Sequence, residues 1–281
     1  MSSIVKPPLG VLLNHGHPLS TGIVGCWMLN EGAGALGRVI DLSGNGNHGT
    51  LEGGVASVPG KFGTATRFNG AGVADSVNCG YANLVGGGSE MTIVLWIRPS
   101  ITARDEAKFF GQQGNSAGNR VFRAYWHNTV DRIYFNVHNE SQTQFAGYYE
   151  GPFGGAFEWK QVVCRVHSSG EVAVFVNTIK GSSTGSFTGL IDDGGSTAYD
   201  HLRIGSEAVN GVGDRAWEGD IDHFLIYNRS LSTQEIASLY RDPFQMFHRE
   251  PIELWVGSVG AGAPPTVVPQ IQYLRNMAAV A

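Results

Sequence analysis

Hydrophobic residues recur at every second position along several short segments of the chain, which is the pattern of a strand with one buried face. Together with short apolar runs, the pattern predicts strands at residues 23–29, 64–68, 91–97, 121–126, 132–137, 161–167, 172–177, 201–204 and 221–227. Within one of them, Ile133, Phe135 and Val137 share a face. Tyr134 and Asn136 point the other way, so this strand is predicted to have one apolar and one polar side.

Glycine, asparagine, aspartate and serine separate these predicted strands, as in Ser168-Ser169-Gly170. Such residues form tight turns, because glycine adopts positive φ and the polar side chains bond to nearby backbone. Many strands at close spacing favour two packed antiparallel sheets. We therefore predict an all-β fold, an antiparallel β-sandwich with one short C-terminal helix and extended terminal arms.

One helix is predicted near the end of the sandwich from its capping signals. Ser232 and Glu235 have the spacing of a capping box, in which each side chain binds the backbone N–H of the other residue. Leu231 and Ile236 occupy the positions of a hydrophobic staple. We expect the helix to end before Pro243, since proline cannot continue it.

Composition agrees with a strand-rich fold and narrows the classes of partner. Charged residues make up only 15% of the chain and glycine numbers 40 of 281 residues, whereas helical bundles need many charged residues on their exposed faces. The net charge is -5 and no basic run occurs, so we expect no nucleic-acid partner. No segment approaches the ~20 apolar residues of a membrane helix, and the first residues lack the apolar run of a signal peptide.

The two ends of the chain differ from its central part. Residues 1–21 contain three prolines, which oppose regular structure, and we interpret them as an N-terminal arm. Residues 22–240 are predicted to form the sandwich. Residues 241–281 combine aromatic residues with a Gly/Ala/Pro-rich stretch and an apolar end, which indicates a C-terminal arm that packs on another surface.

Four segments of the sequence carry a family resemblance. In order they read VGCWMLNEGAG (24–34), DLSGNGNHGTL (41–51), GKFGTATRFNG (60–70) and GDIDHFLIYNRSLS (219–232). Together they resemble the laminin G-like, concanavalin A-like lectin superfamily over roughly residues 22–240. The resemblance implies a jelly roll of two antiparallel sheets, but this fold hosts lectins, adhesion modules, enzyme appendages and virion proteins.

The resemblance also implies a structural calcium ion near the loop that follows the first strand. Asp41, Asn45 and Asn47 in this loop supply carboxylate and amide oxygens, which are ligands that calcium prefers. Asp220 and Asp222 lie near the start of the last strand, which usually runs beside the first in this family. These five residues are the candidate metal ligands. The alternative is a metal-free turn, because Asn-Gly steps form turns without a metal.

The sequence lacks the carboxylate pattern of glycan-cleaving sandwiches, which need two carboxyl groups across a cleft. In the endoglucanase relatives these groups share one strand as Glu-x-Asp-x-x-Glu, and the nearest match, at residues 218–222, lacks the second glutamate. No His-Glu-x-x-His zinc motif occurs either. We therefore expect that the chain is not an enzyme.

Aromatic side chains beside polar ones mark a candidate ligand site. Tyr125, Trp126 and His127 sit together near the end of one predicted strand, and Tyr148 and Tyr149 follow a polar run. Aromatic rings with a polar end suit surfaces that contact both apolar and hydrogen-bonding groups, so these five residues are candidate glycan contacts. The alternative is ordinary packing, since aromatic residues favour strands in any case.

Two functional hypotheses of different classes follow. The first is a non-enzymatic assembly protein, a phage virion subunit of the capsid-decoration or fibre type, whose arms bind sister subunits or capsid proteins. Residues 6–19 and 240–247 support it, because they are similar to extensions of laminin G-like proteins in phage structural modules. The second is an extracellular carbohydrate-binding module or adhesin. The expected location is therefore a virion or the extracellular space.

Overall fold

Strands account for about half of the described residues. The computed structural model describes residues 4–32, 37–70, 75–81, 83–100, 106–113, 120–151, 158–193, 201–209, 212–214 and 216–247, and the predicted C-terminal arm beyond residue 247 lies outside this range. The strands are β1 (Ile23–Trp27), β2 (Arg38–Val39), β3 (Gly49–Glu52), β4 (Ala56–Pro59), β5 (Thr64–Asn69), β6 (Ser76–Tyr81), β7 (Met91–Pro99), β8 (Ala107–Gln113), β9 (Arg120–His127), β10 (Arg132–His138), β11 (Gln144–Glu150), β12 (Lys160–Val166), β13 (Val172–Val176), β14 (Ile179–Lys180), β15 (Ser182–Ser183), β16 (His201–Ile204), β17 (Glu207–Val209), β18 (Val212–Asp214) and β19 (Glu218–Tyr227). One α-helix follows them, α1 (Thr233–Arg241), and Pro18–Ser20 form a short 3-10 helix.

Two large antiparallel sheets form a sandwich, as the sequence predicts. The eight-stranded sheet has the order β14-β13-β12-β7-β19-β5-β4, and β1 also pairs with β19. The nine-stranded sheet has the order β15-β11-β10-β9-β8-β16-β6-β3-β2. Strands β17 and β18 pair only with each other among the described residues. Strand β19 pairs with β7 along one edge, and along its other edge the first half pairs with β5 and the second half with β1.

Side chains that alternate along the strands fill the space between the sheets. Ile133, Phe135 and Val137 of β10 are fully buried there, and they share the interior with residues such as Phe110 and Phe224. The predicted faces of β10 are therefore confirmed. The interior cluster draws on both sheets along their length, so burial of apolar area supplies the main favourable free energy of folding.

Close packing of the two sheets fixes the position of β11. A Cβ atom at Gly147 would lie 2.3 Å from the carbonyl oxygen of Val172 on β13, so only glycine fits at this point of the strand. This close approach fixes the distance between β11 and β13, and with it the position of the outward side chains of β11 next to β10.

A second apolar cluster covers the outer face of the eight-stranded sheet, the face directed away from the interior. Helix α1 contributes Ile236 and Leu239 to it. The helix has the predicted capping box between Ser232 and Glu235, and Leu231 is fully buried at the expected staple position. No described helix has the length and apolar character needed to cross a membrane.

The N-terminal arm packs on its own sandwich and belongs to this second cluster. Leu13 is 3% exposed and forms an isolated β-bridge with Phe247, and the N–H of Asn14 donates to the carbonyl of Met246 at 2.9 Å. The arm and the segment after α1 therefore hold each other against the sheet. The assembly hypothesis expects the arm to bind sister subunits or capsid proteins. In the structure, its described part binds the same chain instead.

A buried ion pair joins the arm to β19. The Lys6 ammonium lies 3.1 Å from Oδ1 of Asp222, and the two side chains are 3% and 0% exposed. Lys6 also donates to the carbonyl oxygens of Thr64 and Asp222. Burial lowers the pKa of Lys6, because desolvation penalises the charged ammonium more than the carboxylate stabilises it.

We predict that Lys6→Ala destabilises the protein by about 3 kcal/mol, because it leaves the Asp222 carboxylate buried without its cation. The free energy of unfolding in urea measures the loss. Lys180→Ala is the matched control, since its pair with Glu171 is partly solvent-exposed and contributes about 0.5 kcal/mol or less. Equal losses in the two variants would contradict the structural role of the buried pair.

Candidate functional site

Asp41 begins the loop that the sequence analysis assigns to calcium, and its carboxylate is already saturated with hydrogen bonds. Oδ1 accepts from the backbone N–H groups of Cys26 at 3.0 Å and Ser43 at 2.9 Å. Oδ2 accepts from the Ser43 hydroxyl at 2.8 Å and the N–H of Asn47 at 3.0 Å. Asp41 is buried, and these donors occupy the lone pairs that a metal ion would need.

The two asparagines of the same loop also bind protein groups. The Asn45 side chain donates to the carbonyl of Val24 at 2.9 Å. The backbone carbonyl of Asn47 accepts from the indole N–H of Trp27 at 2.8 Å. The loop is thus a hydrogen-bonded turn that fixes Trp27, whose side chain is fully buried in the interior.

Asp220 and Asp222 have their own partners on β19. Asp220 lies between Arg67 and Arg98 in the strand register, with Arg67 Nε 2.8 Å from Oδ1 and Arg98 Nη2 2.6 Å from Oδ2. Besides Lys6, Asp222 accepts the backbone N–H of Lys61 at 2.7 Å. Each carboxylate therefore stabilises a different contact within the fold.

The described residues do not fit a shared calcium site. None of them belongs to a group of three or more His, Cys, Asp and Glu side chains that could hold a metal ion. The carboxylates of Asp41, Asp220 and Asp222 are bound by N–H, O–H or cationic donors, whereas calcium needs six to eight oxygens free to coordinate. Calcium remains a prediction from the resemblance, without support from this geometry.

Three tyrosines on neighbouring strands form the most prominent feature of the nine-stranded sheet's outer face. Tyr134 on β10 pairs in register with Tyr125 on β9 and with Tyr148 on β11. The ring centroids of Tyr125 and Tyr134 are 5.4 Å apart with nearly parallel planes, and those of Tyr134 and Tyr148 are 5.8 Å apart. All three are half-buried. We call them the tyrosine ladder.

The sequence prediction named two of the ladder residues and missed the central one. Trp126 and Tyr149 pack against the interior, because neighbours along a strand face opposite sides. His127 lies beside the central ring of the ladder, with its ring centroid 6.2 Å from that of Tyr134. The period-two pattern already placed Tyr134 on the polar face of its strand, and this placement could have identified it as a candidate ligand contact.

Cationic side chains lie against the ladder at both ends. Lys108 Nζ is 4.2 Å from the ring centroid of Tyr125, and Arg132 Cζ is 5.0 Å from that of Tyr148. Cations attract the faces of aromatic rings by about 0.5–2 kcal/mol, with the larger value for desolvated groups. Lys108 is 2% exposed, so its contact orders Tyr125 more strongly than the surface contact of Arg132 orders Tyr148.

Polar groups beside the ladder can hydrogen-bond a ligand or fix the rings. Asn136, on the same face of β10 as Tyr134, is buried and hydrogen-bonds to Tyr125. Glu207 is paired with Arg123 at 3.3 Å, and Glu150 with Arg132 at 2.8 Å. The face therefore combines three aromatic rings with charged and amide groups in fixed positions.

A family model matches residues 70–237 of the chain, and it describes the concanavalin A-like lectin/glucanases superfamily. No curated protein matches the sequence. The match covers β6 to the first half of α1, so it includes all the strands that carry the tyrosine ladder.

Solved structures share the fold at low sequence identity. The binding domain of Paraclostridial Mosquitocidal Protein 1 superposes with a TM-score of 0.61 at 18% identity, over 81% of this chain and 53% of that one. For the botulinum neurotoxin serotype G binding domain the values are 0.57, 15%, 78% and 50%. Domain 4 of AbnA, a GH43 extracellular arabinanase from Geobacillus stearothermophilus in complex with arabinotriose, gives 0.51 and 20%, over 78% of this chain and 98% of that domain. The chain thus spans about half the length of the toxin domains and nearly all of the arabinanase domain.

We predict that Asp41→Ala lowers the free energy of unfolding by about 3 kcal/mol, because several buried donors lose their acceptor. Ser43→Ala removes one of these donors and should cost about 1 kcal/mol. Urea unfolding in the presence of calcium chloride and of the chelator EGTA measures both. The hydrogen-bond account requires the same loss in either condition, and a loss that appears only with calcium would establish the metal site instead.

Proposed function

This chain belongs to the concanavalin A-like lectin/glucanases superfamily, and we propose that it is a non-catalytic carbohydrate-binding protein whose ligand lies on the tyrosine ladder. The observation that carries the proposal is the row of Tyr125, Tyr134 and Tyr148, three half-exposed aromatic rings on adjacent strands of one outer face. The rings stand on a rigid sheet whose other side is the protein interior.

The chemistry of the ladder suits a sugar. Each tyrosine presents an apolar ring and a hydroxyl that donates and accepts hydrogen bonds, and a sugar likewise has apolar C–H patches and hydroxyls. Lys108 and Asn136 hold Tyr125 from two sides. A surface that is ordered before binding loses less side-chain entropy when the ligand arrives.

The charged groups of this face favour binding over catalysis. Glycoside hydrolysis needs one carboxyl group as acid and another as nucleophile or base. Next to the ladder, Glu207 is bound to Lys108 and Arg123, and Glu150 to Arg132. Each of these carboxylates therefore holds a cation of the same face, which is a structural role.

A serine motif on the same side of the molecule has no catalytic geometry either. Residues 181–185 match Gly-x-Ser-x-Gly, but that motif acts on a turn between a strand and a helix. Here Ser183 lies on the edge strand β15, and its hydroxyl donates to the carbonyl of Gly185 at 2.7 Å. The motif is therefore consistent with a surface turn.

The comparisons support a binding role at the level of the fold. Two of the solved structures are binding domains of toxins, and a third is an arabinanase domain in complex with arabinotriose. The arabinanase domain is matched along nearly its whole length, which supports the idea that a sandwich of this size serves as a separate sugar-binding unit.

The assembly hypothesis remains a prediction. The described part of the N-terminal arm, from Ile4 to Leu19, is docked on its own sandwich, and none of the three solved structures named above is a virion protein. The glycan-binding hypothesis has a specific surface to support it, and the two roles are compatible in a displayed sugar-binding domain.

We predict that Tyr134→Ala weakens binding of the full-length protein to its best oligosaccharide by at least about tenfold, because the central ring of the ladder is lost. The ligand is first selected on an immobilised panel of neutral and acidic oligosaccharides, and affinities are then measured by titration calorimetry. Tyr134→Phe keeps the ring and should show a smaller loss.

Tyr240→Ala is the matched control, since this tyrosine is also partly exposed but stacks on Trp96 at the covered face of the other sheet. Its affinity should equal that of the unmodified protein. Two results would overturn the proposal: the absence of binding to every oligosaccharide of the panel, or the same affinity for Tyr134→Ala and Tyr240→Ala.

A further inference from the structure

Several polar side-chain atoms near the tyrosine ladder are buried without a hydrogen-bond partner. Both polar atoms of the Gln113 side chain, Nε of Arg120, Nε of Arg123 and Nδ1 of His138 are buried and have no hydrogen bond. Gln113 is 1% exposed and His138 is 4% exposed. Buried polar atoms usually have a hydrogen-bond partner, so these five atoms leave hydrogen-bonding capacity unused on neighbouring strands. We call these four residues the arginine cluster.

The strand register brings the members of the arginine cluster together. Gln113 on β8 pairs with Arg120 on β9. Arg123 pairs with Asn136 on β10, two residues before His138. Arg123 also connects the cluster to the ladder, because its Cζ lies 5.7 Å from the ring centroid of Tyr125.

Among the cations in and beside the arginine cluster, one has no carboxylate at ion-pair distance in the described chain. Arg123 is neutralised by Glu207, which also lies 3.9 Å from Lys108, and Lys108 has a second carboxylate in Glu106 at 3.5 Å. Within the described chain, the guanidinium of Arg120 has no carboxylate at ion-pair distance. Its backbone N–H donates to the side chain of Gln142.

Asp192 is the nearest other acid that the contacts identify. It accepts a hydrogen bond from the side-chain amide of Gln142. Gln142 also binds the backbone N–H of Arg120 and so connects the two residues. A carboxylate bound in this way reduces the positive potential of the cluster but does not occupy the Arg120 guanidinium.

The titration of His138 reports the same positive environment. Burial, together with the charges of Arg123 and Arg120, lowers the pKa of His138 to about 4, although a hydrogen bond with Gln144 opposes this shift. His138 is therefore neutral at physiological pH and can donate or accept a hydrogen bond.

We propose that the arginine cluster binds the carboxylate or sulfate group of an acidic glycan whose sugar rings lie on the tyrosine ladder. The proposal rests on the proposed function and adds the class of ligand to it. A guanidinium binds a carboxylate or sulfate through two parallel N–H donors. The amide of Gln113 and the ring of His138 supply further hydrogen bonds, and the incoming anion balances the unpaired charge of Arg120.

The test compares two ligands that differ only in charge. Titration calorimetry on the full-length protein measures binding of trigalacturonate and of its carboxyl-reduced counterpart, the neutral trigalactose. We expect the acidic trisaccharide to bind at least about tenfold more tightly, as a charge-assisted hydrogen bond implies. Arg120→Gln should abolish this difference and leave the affinity for the neutral trisaccharide unchanged.

Arg38→Gln is the matched control, because Arg38 is an exposed arginine on β2 at the far edge of the same sheet. It should keep the full preference for the acidic trisaccharide. A preference that Arg38→Gln and Arg120→Gln reduce equally would reflect the general charge of the protein, and it would overturn the assignment to the cluster.

The outcomes separate the two proposals. Equal affinity for both trisaccharides, lost in Tyr134→Ala, would overturn the acidic-glycan inference and keep the ladder as a sugar-binding site. Absence of binding to either trisaccharide, with binding to another oligosaccharide of the panel that is lost in Tyr134→Ala, would likewise overturn only the acidic-glycan inference.

His138 supplies a readout that a neutral ligand does not change. An anion bound beside the ring stabilises the imidazolium, so the pKa of His138 should rise from about 4 when trigalacturonate binds. Two-dimensional NMR of the histidine ring measures this shift. An unchanged pKa under saturating trigalacturonate would place the carboxylate elsewhere and overturn the proposal.

Discussion

The alternation of side chains along β9, β10 and β11 is the constraint on which both the sandwich and the proposed site depend. On the inner side, Phe122 and Phe135 are buried between the sheets. On the outer side, the same alternation places Tyr125, Tyr134 and Tyr148 in one row. A slip of one residue in any of these strands would move its apolar residues to the surface and its tyrosine to the interior. The free energy of core packing therefore also fixes the ladder.

The two outer faces of the sandwich have different roles. The outer face of the eight-stranded sheet is covered by the N-terminal arm, α1 and the segment around Phe247, and the buried pair of Lys6 and Asp222 joins the arm to β19. The outer face of the nine-stranded sheet bears half-exposed tyrosines and paired charges instead. A face that apolar segments bury contributes to stability, whereas a face that presents ordered aromatic and polar side chains can bind a ligand. The described part of the N-terminal arm and α1 thus cover the sheet opposite the one that carries the ladder.

Sequence reasoning recovered nine of the strands and the helix because their signals are local, and it missed others, such as β8 and β11, whose apolar residues do not alternate clearly. The period of two in β7 and β10 and the capping box at Ser232 depend on residues a few positions apart. The pair of Lys6 and Asp222 joins residues 216 positions apart, and no local pattern indicates it. The loop at Asp41 was ambiguous for another reason: the oxygens that would bind calcium also accept the hydrogen bonds of a turn. For the ligand site, grouping residues by proximity in sequence selected Trp126 and omitted Tyr134, because contact across strands, rather than along them, defines the row.

The most direct measurement of the central claim is fluorine NMR of the full-length protein with its nine tyrosines replaced by 3-fluorotyrosine, titrated with the best oligosaccharide of the panel. Each resonance is assigned by a single Tyr→Phe variant. The account predicts that the resonances of Tyr125, Tyr134 and Tyr148 shift in proportion to occupancy, while those of Tyr227 and Tyr240 stay in place. Shifts confined to tyrosines outside the ladder would contradict it and would locate the ligand on another surface.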